Sequence, residues 1–231
     1  MRSPGPRKEG TGSARSRRGS KRAARFAAEA AYADSVLRTA LGDYKSAVAA
    51  LDRALDFSPT YAPAIFSLGT VKYQRGNRTE GRRLFESLLS LPRNTPDLCQ
   101  IIDEAGTFLI QSHAYKDGLD FYRAAASRFP RVAPFHQGVG CCAGHRGYHD
   151  EALEASRRAV QIEPSNQRFV NDLGWSLLDA GDLREAEKTL IKAVSMDPSD
   201  ELARENLRFC RAKLSPVLRR KRNANPLGEK A

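Results

Sequence analysis

A chain of 231 residues with 38 Lys and Arg against 27 Asp and Glu carries a formal charge of +11, and 41% of its residues are hydrophobic. No apolar run approaches the length of a membrane-spanning helix, and no apolar stretch precedes residue 23, so a secretory signal is not expected. The charge is uneven: residues 1–27 hold nine basic residues and one acid, residues 215–231 hold five and one, and residues 28–214 sum to −1, so the basicity is not spread over a folded surface.

In chain order, residues 1–23 are Gly, Ser, Arg, Lys and Pro without periodicity, and their composition predicts a disordered basic tail. Such a tail has three readings: solvation, electrostatic docking to nucleic acid, an acidic protein or an anionic membrane, and an address. Its Gly and Pro argue against an amphipathic presequence.

Residues 28–61 begin a series of helical pairs. Gly42-Asp43-Tyr44 opens a good second helix with Ala47, Leu51, Ala54 and a closing Pro59, while the first helix is polar at Asp34 and Ser35 and is expected to face solvent as a terminal unit. Residues 62–95 repeat the pattern with Ile65, Leu68-Gly69, Gly76, Gly81, Phe85 and Leu88, followed by a lengthened loop over 92–98. Residues 99–132 do so with Ile102, Ala105-Gly106, Tyr122, Ala125 and Pro130. Residues 133–166 and 167–200 then align without a gap, pairing Gly140 with Gly174, Gly147 with Gly181, Glu151 with Glu185, Ala152 with Ala186, Ala159 with Ala193 and Pro164 with Pro198.

The physical reading of each unit is direct. With units numbered from one, position 8 is a Gly that lets the first helix lie close on the second, and position 20 is the small reciprocal residue. Positions 4, 7, 11, 24, 27 and 28 supply an apolar stripe, in the last unit Val170, Leu173, Leu177, Leu190, Ala193 and Val194. Gly181 is the left-handed stop, and Asp182 with Glu185 reads as a capping box. Gly138, by this register, faces outward, so Gly138→Ala is expected to be harmless or stabilising. Residues 201–214 form one more helix with Ala203, Leu207, Cys210 and Leu214 on one side. Arg208 at its position 8 leaves no room for a partner helix, so it reads as a solvating cap. Residues from 215 are expected to be disordered after a short helical extension.

A 34-residue period with these glycines, alanines and prolines resembles the tetratricopeptide repeat family. The resemblance implies an all-α fold: a right-handed α-solenoid of about five helix–turn–helix repeats over 24–214, with a capping helix between disordered basic tails at 1–23 and 215–231. It also implies a protein-binding scaffold whose first helices line a concave groove, through Tyr32, Phe66, Tyr73, Asp103, Thr107, Gln137, His145, Arg168, Asn171, Trp175 and Asp179. Some of those aromatics are equally readable as inter-repeat core. The Lys and Asn that family members use to clamp a peptide carboxylate are absent at the matching positions, where Tyr32/Val36, Phe66/Thr70 and Asp103/Thr107 stand instead. The groove therefore suits an apolar or helical segment with Trp175 as anchor. The leading expectation is a non-catalytic protein or peptide binder, and the alternative is a nucleic-acid-associated adaptor acting through its tails.

Other chemistry finds little support. Gly138-Val-Gly140-Cys-Cys-Ala143 matches a loose dinucleotide fingerprint, but it falls inside a repeat helix rather than after a strand. Cys141, Cys142, His145 and His149 cluster without the separated ligand pairs of a structural metal site. No metal, cofactor or catalytic constellation is assigned. Cys99, Cys141, Cys142 and Cys210 are expected to be reduced thiols in a cytoplasmic setting, with a nuclear one open through the basic tails.

Overall fold

The computed structural model describes the backbone over residues 11–224 and the side chains over residues 19–216. Among the described residues every element is a helix: α1 (Thr11–Ala40), α2 (Tyr44–Phe57), α3 (Ala62–Gln74), α4 (Arg78–Leu88), α5 (Leu98–Gln111), α6 (Tyr115–Arg128), α7 (Ala133–His145), α8 (His149–Ile162), α9 (Gln167–Asp179), α10 (Leu183–Met196) and α11 (Glu201–Ala224). The fold is an all-α repeat of the solenoid type, five helix pairs followed by a closing helix. The chain divides into two compact units, up to Ile101 and from Ile102, the division falling inside α5.

In the first unit α1 packs on α2, α2 on α3 and α3 on α4; in the second, α9 touches α7, α8, α10 and α11. Stacking of this kind buries stripes that no single pair buries alone. Val170, Ala193 and Ala203 form one shared cluster, and Leu177, Leu178, Leu190, Leu207 and Cys210 another.

The turn between paired helices has one backbone solution throughout. Position 15 takes positive φ in all five units: Gly42 (76°), Gly76 (88°), His113 (54°), Gly147 (78°) and Gly181 (85°). Each turn closes the same way, as where the Asp182 amide donates to the Leu177 carbonyl at 2.9 Å and Gly181 to Leu178 at 3.1 Å. His113 bears a Cβ in a region that disfavours one by roughly 1–2 kcal/mol. A 3.0 Å hydrogen bond between its Nδ1 and the Tyr115 hydroxyl accompanies this geometry.

A glycine at position 8 sets the distance within the second to fifth pairs, the first pair having Ser35 there. A Cβ built on Gly69 would stand 2.7 Å from the Phe85 ring, one on Gly140 2.8 Å from Ser156 Oγ, and one on Gly174 2.6 Å from Leu190 Cγ. Gly106 meets the Tyr122 ring in the same way. In every case the partner is position 24 of the same unit.

Set beside the sequence expectations, the structure agrees at some points and departs at others. Helix α1 is described from Thr11, within the span of the expected N-terminal tail, and Ala23, Ala24, Ala27, Ala28, Ala30 and Ala31 supply strong helix propensity farther along it. Residues 1–10 and 225–231 of the expected tails lie outside the described residues. Helix α11 runs on through Pro216 to Ala224, where a short helical extension beyond 214 was expected. The polar pair of the first helix is turned inward rather than to solvent: Ser35 is buried and donates to the Tyr32 carbonyl at 2.6 Å, and the half-buried Asp34 binds Arg38 and Arg53, while Phe26, Leu37 and Leu41 lie exposed. Asp182 stands at the N-cap of α10 without a side-chain cap bond, and Glu185 pairs with Lys188 at 3.3 Å; side chains do cap other helices, where Asp43, Asn77 and Asp200 accept from the amides of Ser46, Glu80 and Ala203. Finally, Gly138 faces inward, and a Cβ there would stand 2.5 Å from the Tyr122 ring.

That last contact reverses the expected effect of Gly138→Ala. It destabilises by about 1–3 kcal/mol, because the buried Tyr122 ring is held between Gly106 and Gly138 and has nowhere to shift. Gly174→Leu is at least as damaging through its clash with Leu190. Urea denaturation of the two variants checks both; parent-like midpoints overturn the packing assignment.

Candidate binding cleft

Two first helices of the second unit, α7 and α9, together with the closing helix α11 bound a cleft of about 520 Å³. That volume lies in the range of ordinary ligand clefts. Gln137, Cys141 and His145 come from α7, Asn171, Asp172, Trp175, Ser176 and Asp179 from α9, and Leu202 and Asn206 from α11, with Ser156 of α8 reaching it from beneath.

The floor is polar and satisfied. Gln137 Nε2 donates to Asp172 Oδ2 at 3.2 Å, Asn206 Nδ2 to Asn171 Oδ1 at 3.1 Å, and the Ser156 and Ser176 hydroxyls share a hydrogen bond of 2.8 Å. The first two bonds have one logic: position 5 of one unit meets position 6 of the next, thirty-five residues on. Burial pushes the Asp172 carboxyl up from its ordinary value, against the opposing pull of the Gln137 hydrogen bond, Arg168 and Asn171. Burial also pushes the Cys141 thiol up, with Asp172 adding to the effect, so at neutral pH Cys141 is a thiol and not a nucleophilic thiolate.

The rim is aromatic. Trp175, 38% exposed, stacks on Phe209 of α11 with ring centroids 5.7 Å apart and planes 20° apart, and Lys213 Nζ lies 4.8 Å from the Phe209 ring centre on its own helix. His145 is exposed and stacks on Tyr115 at 4.0 Å. Leu202 is 58% exposed on the α11 side.

Five of the sequence candidates therefore meet in one place: Gln137, His145, Asn171, Trp175 and Asp179. Asn171 is not a free hydrogen-bonding group for a ligand backbone, because it is buried and its Oδ1 is taken by Asn206. Three further candidates of this unit stand outside the cleft. Asp103 accepts a hydrogen bond from the Tyr122 hydroxyl at 3.0 Å, Thr107 lies 3.4 Å from that hydroxyl, and Arg168 is exposed. Burial pushes the Asp103 carboxyl up as well, with the Tyr122 bond acting the other way. In the first unit Tyr32 is half-buried edge-on to Tyr61 at 5.7 Å, and Phe66 is half-buried against Phe85. Tyr73 is a correction: it is 4% exposed, lies against Phe85 and presents no groove surface.

The sequence reading missed Asp172, Ser176, Leu202, Asn206 and Phe209. Phe209 had a usable signal, since it sits thirty-four residues after Trp175 at the same repeat position. Treating α11 as a cap removed it from the groove. The dinucleotide-like run lies wholly within α7, with Gly140 against Ser156 as a packing glycine. Among the described residues no group of three or more His, Cys, Asp or Glu side chains is arranged to hold a metal, and no helix is long and apolar enough to cross a membrane.

Comparison with known proteins agrees with the fold. A family model described as "Tetratricopeptide repeat" matches residues 146–207. The chain is 24% identical over 110 residues to a small glutamine-rich tetratricopeptide repeat-containing protein 2 of Mycosarcoma maydis, covering 48% of this chain and 31% of that protein. It is 25% identical over 163 residues to a peroxisomal targeting signal receptor of Kluyveromyces lactis, covering 69% and 28%. The chain thus spans about a third or less of these two relatives. Among solved structures, YrrB, titled a TPR protein with an unusual peptide-binding site, has a TM-score of 0.54 at 22% identity, covering 76% of this chain and 89% of that one. MamA has a TM-score of 0.54 at 19% identity, covering 74% and 92%. These two likenesses show the fold.

The raised Asp172 pKa has a sign that is testable. A carboxyl whose folded pKa lies above its unfolded one binds its proton more tightly when folded, so its ionisation lowers stability as pH rises through the carboxylate range. Asp172→Asn, which keeps an acceptor for Gln137, is therefore more stable than the parent at neutral pH, and the gap closes as pH falls below that range. Thermal melts at several pH values check it; a gap that does not change with pH is the contrary result.

Proposed function

We propose, from the premise that this chain is a tetratricopeptide-repeat protein, that it is a non-catalytic interaction scaffold that seats an apolar or helical segment of a partner protein in the cleft bounded by α7, α9 and α11. One observation carries the reading. A half-exposed Trp175, its orientation set by a stack on Phe209, overlooks a cleft whose own polar floor is already satisfied. An aromatic ring held in place in this way gives up little conformational freedom on binding and offers a large contact area, the usual makeup of an interface hot spot. Leu202 across the cleft adds an apolar contact, and Asp179 supplies a polar end. The titled peptide-binding site of YrrB supports a peptide as the class of ligand for this fold.

The acidic side chains of the cleft favour a segment that brings a cation or amide donors alongside its apolar anchor. Asp172 and Asp179 both line it.

Peptides selected against the intact chain from a random display library provide the test. Trp175→Ala weakens the binding of cleft-directed peptides by about 2 kcal/mol or more, a loss of roughly thirtyfold. It also lowers the melting temperature modestly, because one face of the ring is packed on Phe209. Emission from this single tryptophan is expected to be quencher-accessible in the free protein and protected in the complex. Selected peptides that bind Trp175→Ala as tightly as the parent sink the assignment.

A further inference from the structure

We infer that the outward face of α1 is a self-association surface, and that its occupant is the α1 of a second copy of this chain, packed antiparallel about a two-fold axis. The first observation is an apolar stripe on the wrong side of a terminal helix. Ala28, Ala31 and Ser35 are buried, and at 100° per residue they mark the face turned toward α2. Phe26, Ala30, Ala33 and Leu37 lie about half a turn of the helix away from them, Leu41 follows at its end, and all five are exposed, Phe26 by 56%, Leu37 by 60% and Leu41 by 74%. A helix apolar on two opposite faces is normally covered on both, and the end of a repeat array is normally polar outside.

The second observation says what covers it. The exposed residues Arg22, Phe26, Ala30, Ala33, Leu37 and Leu41 are spaced four, four, three, four and four, so the stripe reads the same in both directions about a point between Ala31 and Tyr32. A two-fold axis through that point sets Phe26 of each copy against Leu37 of the other and Ala30 against Ala33. Small residues at the centre allow close approach of the two helices, and the large ones interdigitate on either side, which is the self-complementarity an isologous contact requires.

Charge agrees with the same arrangement. Lys21, Arg22 and Arg25 stand in the N-terminal half of the helix, and Arg22, on the stripe itself, lies over the Phe26 ring at 5.5 Å. Asp34 and Asp43 stand toward the other end, where the last carbonyls of α1 also point. Antiparallel pairing lays the Arg22 end of each helix beside the Leu41 end of the other, close to Asp43 and the negative pole of that helix. A parallel arrangement would instead set the basic ends together. Glu29 and Asp34 hold Arg25 and Arg38 at 2.9 and 2.8 Å on their own helix, so those guanidinium groups arrive already paired.

Sedimentation of the full chain across the micromolar range tests this. The parent shows a concentration-dependent monomer–dimer equilibrium, while Phe26→Glu and Leu37→Glu each move the midpoint up at least about tenfold, since each is lost twice in a symmetric contact. Both sites are exposed, so the helical circular dichroism spectrum stays that of the parent. The register is read separately: chains bearing Ala30→Cys mixed with chains bearing Ala33→Cys form a disulfide-linked pair in higher yield than either alone. A parent that remains monomeric throughout, as it would if a different protein covered the stripe, overturns the inference. So do dimers that survive both Glu variants, or cysteine pairs that cross-link no better mixed than separate.

Discussion

The structure depends on one steric relation, the contact between position 8 on the first helix of a unit and position 24 on the second. Gly69 faces Phe85, Gly106 faces Tyr122, Gly140 faces Ser156 and Gly174 faces Leu190, each so closely that a Cβ would collide. The backbone of one helix thus touches a side chain of the next directly. With the pair distance set, the apolar positions three and four residues away reach neighbouring units, and the stack follows. In the third unit the relation is doubled: Tyr122 is held by Gly106 within its unit and by Gly138 of the next, while its hydroxyl donates to Asp103. One side chain there joins two consecutive pairs, and a second glycine is needed to admit it.

The cleft is a consequence of the same repetition. Residues at positions 5, 6 and 9 recur on the same side of successive first helices, so polar groups thirty-five residues apart bond across units and aromatic rings thirty-four apart stack. Gln137 with Asp172 and Asn171 with Asn206 satisfy the floor, and Trp175 with Phe209 builds the rim. A buried polar ladder of this sort fixes the spacing of the first helices, because each bond has a narrow distance and an unpaired partner would be costly to leave in the floor. The aromatic rim remains available because the floor needs nothing more.

Much of this was legible in the chain itself. The 34-residue period located all five pairs, and each position-15 residue with positive φ stands where the alignment puts the end of a first helix, including His113 in place of glycine. The identity of small residues at position 8 also told where backbones meet. These features are local or nearest-neighbour: they depend on propensity, backbone sterics and a repeated register, which a sequence carries explicitly.

What lay beyond the sequence was direction and partnership. Gly138 reads as outward by helical periodicity, but the size of Tyr122 on a neighbouring helix turns that position into core. Tyr73 has the repeat position of a groove residue, yet contact with Phe85 buries it. Asp172 carries no mark in the sequence of the burial that raises its pKa, because desolvation is summed over side chains from several helices. Phe209 counts as part of a cap until α11 is seen lying against α9 with its ring on Trp175. The sequence by itself determined the repeat, its turns and its helix-pair spacing, since these rest on short-range sterics. Only the tertiary structure decided which face of each helix is covered and which side chains converge on the cleft, since those depend on the volumes and charges of residues carried by other helices.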